Sequence, residues 1–509
     1  SQAQAQEPLV KWGEPVSNPD PLTRIHEFLQ TEEAGFYAWR KTGIGNPIPN
    51  MFYLGKYDDS YKLIYSKRIP LSNELIGGEL VFRNVLPFKN KIVAFYSGYK
   101  KDTKESYFVA RNILPNGEVE NKDTKLESIL AKSRTNSGTF NVILSPDKSK
   151  MLLVTSFPSV KDKKYRVRVK AFETENMTEL WTKETDLNFD SKKGDVRTSL
   201  IDNTGNAYIT GIHNSGKIYE YFLWTYNAAT LQWKENIIDT KEKRISEDQQ
   251  QLIFDALGNA VFCGFLYTGH KENFNSIFYV RVNGQTLSVE TNVKMSFGDP
   301  ALKEKDEIAF TRWKLRGVLS QSNGNILVIG EDEFNSSSKP DPQAAPGSFI
   351  YIHQNHSKNI KVLSVKPDGT RNWIRTIRKD QKYTTNDPTS KINSFVYTLI
   401  DDRLFVVYNN LSLPQTLTIP AWSWKEPDGA SYNYKNFVEK TEYPTFLYII
   451  EPNGNLTYDN LKYGLPLFNF QKGIFYPMKL NTFVFIPLKD GIIMMDESKE
   501  RYQLGKIHF

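Results

Sequence analysis

Cysteine is nearly missing from this chain: its 509 residues contain one, Cys263, inside the apolar run Asn259–Phe265. A single thiol rules out an intrachain disulfide, and its setting reads as a small buried hydrophobe. Long apolar runs are also missing. No stretch approaches 18 residues and the mean hydropathy is −0.50, so no transmembrane helix is expected. Neither sign of charge dominates. Against 58 acidic residues stand 65 Lys and Arg, and the net +7, small for this length, gives only weak support for an anionic partner.

Signatures of chemistry are lacking as well. The chain has no Gly-x-Ser-x-Gly elbow, no D-x-[DN]-x-[DN]-G calcium loop and no phosphate-loop glycine pattern. Ser364–Thr370 followed by Trp373 has some likeness to the Asp-box of sialidases, but Asp368 and Gly369 are adjacent where that motif separates them, so the run reads as a plain turn. Of six histidines only His353 and His356 are close. Three apart on a strand they face opposite sides, and could share a metal only on a turn. No metal and no cofactor are expected, no catalytic residue can be assigned, and the reading favours a non-enzyme.

What the chain does contain is a repeat. DNTGNAYITG (202–211), DALGNAVFCG (255–264) and QSNGNILVIG (321–330) share a turn followed by an apolar run, and five looser copies begin near residues 28, 86, 144, 398 and 477. Short-stranded units recurring every roughly 55 to 80 residues indicate a β-propeller. The expected fold is therefore all-β, a single propeller of eight four-stranded blades, with seven left open if the first unit is only a decorated arm. The expected blades are 22–70, 80–120, 138–187, 196–240, 250–295, 312–380, 393–460 and 474–509. Within the fourth, strands are expected at Thr198–Asp202, Ala207–Ile212, Tyr219–Tyr226 and Leu231–Ile237. Pro-Asn-Gly (115–117), Pro-Asp-Gly (367–369) and Pro-Asn-Gly (452–454) suit tight turns between third and fourth strands. An aromatic opens several fourth strands: Tyr65, Trp181, Trp233 and Trp373. Residues 1–21 read as an N-terminal arm before a propeller of 22–509. Leu9–Val16 resembles a fourth strand that could pair at the last blade, with Pro15 suited to an edge.

Two further stretches bear on partners. Lys161–Lys170 is strongly basic, but alternation from Arg166 to Lys170 places charge on one strand face and valine on the other. That pattern reads as a solvated blade edge, and no nucleic acid is expected. The other stretch is a pair of long connections between second and third strands, Glu331–Gly347 and Leu411–Pro444. The latter carries Trp422, Trp424, Tyr432, Tyr434, Phe437 and Tyr443, candidate anchors for a partner, or else aromatics that pack on the protein's own ring.

Ala3-Gln4-Ala5 before Gln6-Glu7 has the form of a signal-peptide cleavage site, so export to the periplasm or outer membrane is expected. The unit represented by Asp202, Gly205, Asn206, Tyr208 and Gly211 resembles propeller repeats of exported bacterial envelope proteins. The Lys/Asn/Tyr-rich style is similar to propellers that accompany the type 9 secretion apparatus. The resemblance implies a non-catalytic scaffold, an accessory or plug subunit docked on a larger envelope protein of an export complex. A carbohydrate-binding or carbohydrate-active propeller, with Trp422 and Trp424 stacking on a glycan, is the second reading.

Overall fold

A computed structural model describes residues 9–14, 16–17, 23–31, 35–42, 52–70, 80–214, 219–240, 244–267, 274–298, 313–340, 351–379, 381–385, 395–409, 423–425, 431–433, 445–458, 486–488, 491–497 and 501–508. The architecture is an all-β propeller of four-stranded blades. Seven sheets each take their four strands, A to D, from one continuous stretch of chain. Sheet 1 comprises Thr23–Leu29, Phe36–Thr42, Phe52–Tyr57 and Leu63–Ile69; sheet 2, Val81–Pro87, Ile92–Lys100, Glu105–Ile113 and Thr124–Leu130. Sheet 3 comprises Thr139–Leu144, Lys150–Ser156, Lys164–Glu173 and Glu179–Asp190; sheet 4, Gly194–Ile201, Ala207–Asn214, Tyr219–Asn227 and Gln232–Ile238. Sheet 5 comprises Arg244–Phe254, Ala260–Tyr267, Phe274–Val282 and Val289–Ser296; sheet 6, Trp313–Ser320, Ile326–Pro340, Tyr351–Val365 and Arg371–Ile377. Sheet 7 comprises Val396–Ile400, Arg403–Asn409, Thr445–Ile450 and Leu456–Tyr458.

The expected count is eight with seven left open, and the seven-blade option fits these seven runs. Residues 22–70, the stretch weighed as a decorated arm, nevertheless supply the strands of sheet 1. A further sheet is assembled differently. Its order is Leu9–Trp12, Arg501–His508, Gly491–Glu497 and Ile486–Leu488, so the N-terminal strand pairs antiparallel with the last strand of the chain. Val16–Ser17 pairs with that same last strand, while Pro15 lies outside the described residues. By contacts the chain divides into two compact units. One is Pro19–Gly269 with Ile277–Lys294; the other is Ser1–Asn18 with His270–Ser276 and Met295–Phe509.

The repeat signature has a local physical cause. In sheet 4 the Asp202 carboxylate accepts the backbone N–H groups of Thr204 and Asn206, each at 2.9 Å, and so closes the A–B turn. The Asn206 side-chain oxygen then accepts the N–H of Ala228 at 2.9 Å, tying that turn to the C–D turn. Sheet 5 repeats both devices, Asp255 with Leu257 and Asn259, then Asn259 with Gly284. The final glycine of the signature sits opposite a β-bulge in strand A. At Gly264 a Cβ would lie 2.2 Å from the Gln249 carbonyl oxygen, so no other residue fits without moving the backbone.

The core lies between sheets, which explains why strand B is apolar on both faces. Met151 to Ser156 are all buried in sheet 3, as expected of a strand covered on two sides. Ile209, Phe262, Val328 and Val406, one from each of four B strands, are at most 1% exposed.

Two expectations need correction here. Strand D of sheet 2 is Thr124–Leu130, beyond the boundary placed at 120, because the polar run after Gly117 delays its start. Lys164–Glu173 is an interior strand, not a solvated edge. Its basic face is neutralised by acids on both sides. Arg166 meets Asp186 at 2.7 Å, Arg168 meets Glu184 at 2.6 Å and Glu127 at 2.9 Å, and Lys170 meets Glu179 at 3.3 Å. Tyr165, Val167 and Val169 are buried on the opposite face.

Candidate functional site

Sheet 6 departs from the repeat. Its B and C strands are 15 residues each, whereas its D strand has seven. Polar composition makes Glu331–Gly347 read as a loop, but the chain from Glu331 to Pro340 continues strand B, pairing as far as Pro340 with Tyr351. Residues 341–350 lie outside the described part. The chain leaves strand D at Ile377 and pairs again with strand C further along, as Gln381–Thr385 against His353–Ser357. The result is a three-stranded ribbon that grows out of the blade.

A buried set of charges sits where blade becomes ribbon. Arg316 is the extra residue of a bulge between Leu315 and Gly317 in strand A, a device that re-aims a side chain. Its guanidinium meets Glu331 at 2.7 Å and also pairs with Glu333. Lys379, in the joint between strand D and Gln381–Thr385, donates to the other Glu331 oxygen and to the Ser357 carbonyl at 3.3 Å. Glu331 and Lys379 are buried. Burial pushes the Lys379 ammonium's pKa down, with Glu331 opposing the shift. Both carboxylates pull the Arg316 guanidinium up against the burial that lowers it. Two cations and two anions thus cancel inside the protein, linking strands A, B and C to the joint after D at one level. Such a set fixes register and orientation more than it adds net stability. The Tyr397 hydroxyl donates to the Arg316 carbonyl at 2.8 Å, bracing the bulge from strand A of sheet 7.

Sequence reasoning missed this set because its members lie at positions 316, 331, 333 and 379, and three of them resemble loop charges. The aromatic candidates fare differently. Ser423–Lys425 and Ser431–Asn433 form a short antiparallel hairpin in which Trp424 is paired with Tyr432. Trp422, Tyr434, Phe437 and Tyr443 lie outside the described residues. His353 and His356 fall on an extended strand, not a turn, opposite Ser338 and Phe334. Among the described residues no group of three or more His, Cys, Asp or Glu could hold a metal ion.

No protein-family model matches the chain, and no curated protein matches it. Solved structures similar to it include the WD40 domain of SCAP from fission yeast, at 8% identity over 100% of this chain and 97% of that one, with a TM-score of 0.39. Another is the β-propeller domain of the Trilobed protease from Pyrococcus furiosus, described as an open velcro topology (9% identity, 90% and 98% covered, TM-score 0.34). A third is the α-L-arabinanase of Penicillium chrysogenum complexed with arabinobiose (12% identity, 64% and 94% covered, TM-score 0.33). These likenesses concern fold alone.

Proposed function

We propose that the protein is a non-catalytic, exported propeller that serves as a docking scaffold. In this reading it is an accessory or plug subunit on a larger protein of an outer-membrane export complex. The observation that carries the reading is the ribbon of sheet 6, rooted by the buried Arg316–Glu331–Lys379 set. A pre-ordered, register-locked protrusion loses little conformational entropy when a partner binds it, which is what a docking element requires. The insertion of sheet 7, with its Trp- and Tyr-rich composition, supplies residue types that dominate binding energy at interfaces. The A-x-A run near the N-terminus is the reason for placing the partner in the envelope.

The test is capture of partners from envelope extracts by the full chain, beside a Trp422→Ala/Trp424→Ala double variant. The reading expects one partner to be retained, and the double variant to weaken that complex by about 2 kcal/mol or more with an unchanged melting temperature. A variant that melts lower yet binds normally would show that the tryptophans serve the fold. Binding to glycans on an array with no protein captured would favour the carbohydrate reading instead.

A further inference from the structure

Three A strands carry an arginine in a β-bulge: Arg83 between Phe82 and Asn84, Arg197 between Val196 and Ser199, and Arg316 between Leu315 and Gly317. Their counterions differ. Arg316 has Glu331 and Glu333, and Arg197 has Asp195 at 3.7 Å. Arg83 donates its Nε–H to the Ser97 hydroxyl at 2.6 Å, and among the described residues no carboxylate pairs with it. The registers explain the difference. Lys314 faces Glu331 in sheet 6, and Val81 faces Ser97 in sheet 2. Ser97 therefore occupies the place where sheet 6 carries its buried carboxylate.

Arg83 opens onto a cavity of about 430 Å³ between sheets 2 and 3. Arg134 also lines it, together with Ser97, Ser106, Ser137 and Asn141, and among the described residues no Asp or Glu does. Ser97 and Ser106 are themselves buried, so this is a built wall and not a chance surface dip. Arg83 itself stays exposed at the cavity's edge, and partial desolvation there pushes its guanidinium's pKa down. A guanidinium has five N–H donors. Ser97 uses one and fixes the plane, which leaves the terminal nitrogens free for a two-pronged contact with an oxyanion.

We propose that this cavity binds a small oxyanion carried on a hydroxylated body, a sugar acid or sugar phosphate, whose negative group takes the place opposite Arg83 that Glu331 takes opposite Arg316. The volume falls in the range of small-ligand sites, about 300–1,000 Å³. The hydroxyl and amide side chains of the wall match a body rich in hydroxyls. The inference is independent of the docking reading, since it concerns other residues and a small ligand.

The experiment is isothermal titration of the full chain with glucuronate, glucose 6-phosphate and glucose. At least one anionic sugar is expected to bind, more weakly as salt rises, with glucose at least tenfold weaker. Glucuronate alone would identify a carboxylate ligand, and glucose 6-phosphate alone a phosphate. Arg83→Gln is expected to weaken binding at least tenfold with no change in melting temperature. Ser97→Glu, which supplies the missing carboxylate in cis, is expected to do the same. No binding of either anion to the folded wild type would overturn the proposal, as would affinities that both variants leave unchanged.

Discussion

Trp373, in strand D of sheet 6, donates its indole N–H to the carbonyl of Pro452 in the C–D turn of sheet 7, across 2.9 Å. The same ring covers Gly454, two residues along that turn. The device recurs between other neighbours. Trp181 of sheet 3 donates to Gly205 of sheet 4 at 3.1 Å, and Tyr65 of sheet 1 lies against Gly117 of sheet 2. Three of the four aromatics that open strand D are thus latches to a glycine-bearing turn of the adjacent sheet, the C–D turn for Tyr65 and Trp373 and the A–B turn for Trp181. Trp233 instead packs on Trp224 and Tyr226 of its own sheet.

Gly454→Ala should therefore destabilise the fold. The residue has φ +84°, and a Cβ there would stand 2.7 Å from the Trp373 ring. Left-handed strain of about 1–2 kcal/mol adds to the loss of the latch. The expected cost is about 2–3 kcal/mol, read from urea denaturation. Trp373→Phe, which removes only the N–H donor, should cost about 1 kcal/mol.

Glu331→Ala should be more damaging. It leaves Arg316 with Glu333 alone and strips Lys379, buried, of its carboxylate partner. Breaking one side of a buried pair costs about 3–5 kcal/mol. Replacing Glu331 and Lys379 together by methionine should cost less than Glu331→Ala, because no uncompensated Lys379 charge remains. A double variant less stable than Glu331→Ala would contradict the view that uncompensated charge is the main penalty.

The parts of this fold that could be read from sequence are those made by neighbours in sequence. The Asp202–Asn206 turn spans four residues, so its chemistry is written in the repeat itself. Strands of sheet 4 expected at 198–202, 207–212, 219–226 and 231–237 are found at 194–201, 207–214, 219–227 and 232–238. What escaped notice depends on distant partners. Glu331, Asp332 and Glu333 look like a polar loop until Arg316 and Lys379 are placed beside them. Arg166, Arg168 and Lys170 look like a solvated face until Glu127 arrives from the neighbouring sheet. Arg83 has no sequence signal, because what distinguishes it is the serine at a register position where another sheet has a glutamate.

Val328→Ala tests the packing between sheets. The side chain is fully buried in strand B, flanked in sequence by the equally buried Leu327 and Ile329. Removing two methyl groups should cost about 1–3 kcal/mol through lost burial and a small cavity. Chemical denaturation with an unchanged slope would assign the loss to the native core.

Cys263 offers a probe that leaves the fold intact. Its side chain is fully buried in strand B of sheet 5, and burial pushes the thiol up to about 12. Since the thiolate is the reactive form, iodoacetamide at pH 8 should leave the native protein unmodified and label it fully in denaturant. The pH dependence follows from the same shift. An unfolded thiol ionises near pH 8.5, so between about 9 and about 12 the folded state binds the proton that the unfolded state has released. The contribution of Cys263 is thus fully present below pH 8 and is lost as pH rises through that window, by up to about 1.4 kcal/mol per unit. Against Cys263→Ala, which has no thiol to titrate, the wild type should lose ground steadily from pH 9 to pH 11 in paired denaturation curves. Parallel curves for the two proteins, or rapid native labelling at pH 8, would place the thiol in contact with solvent and contradict the buried strand B.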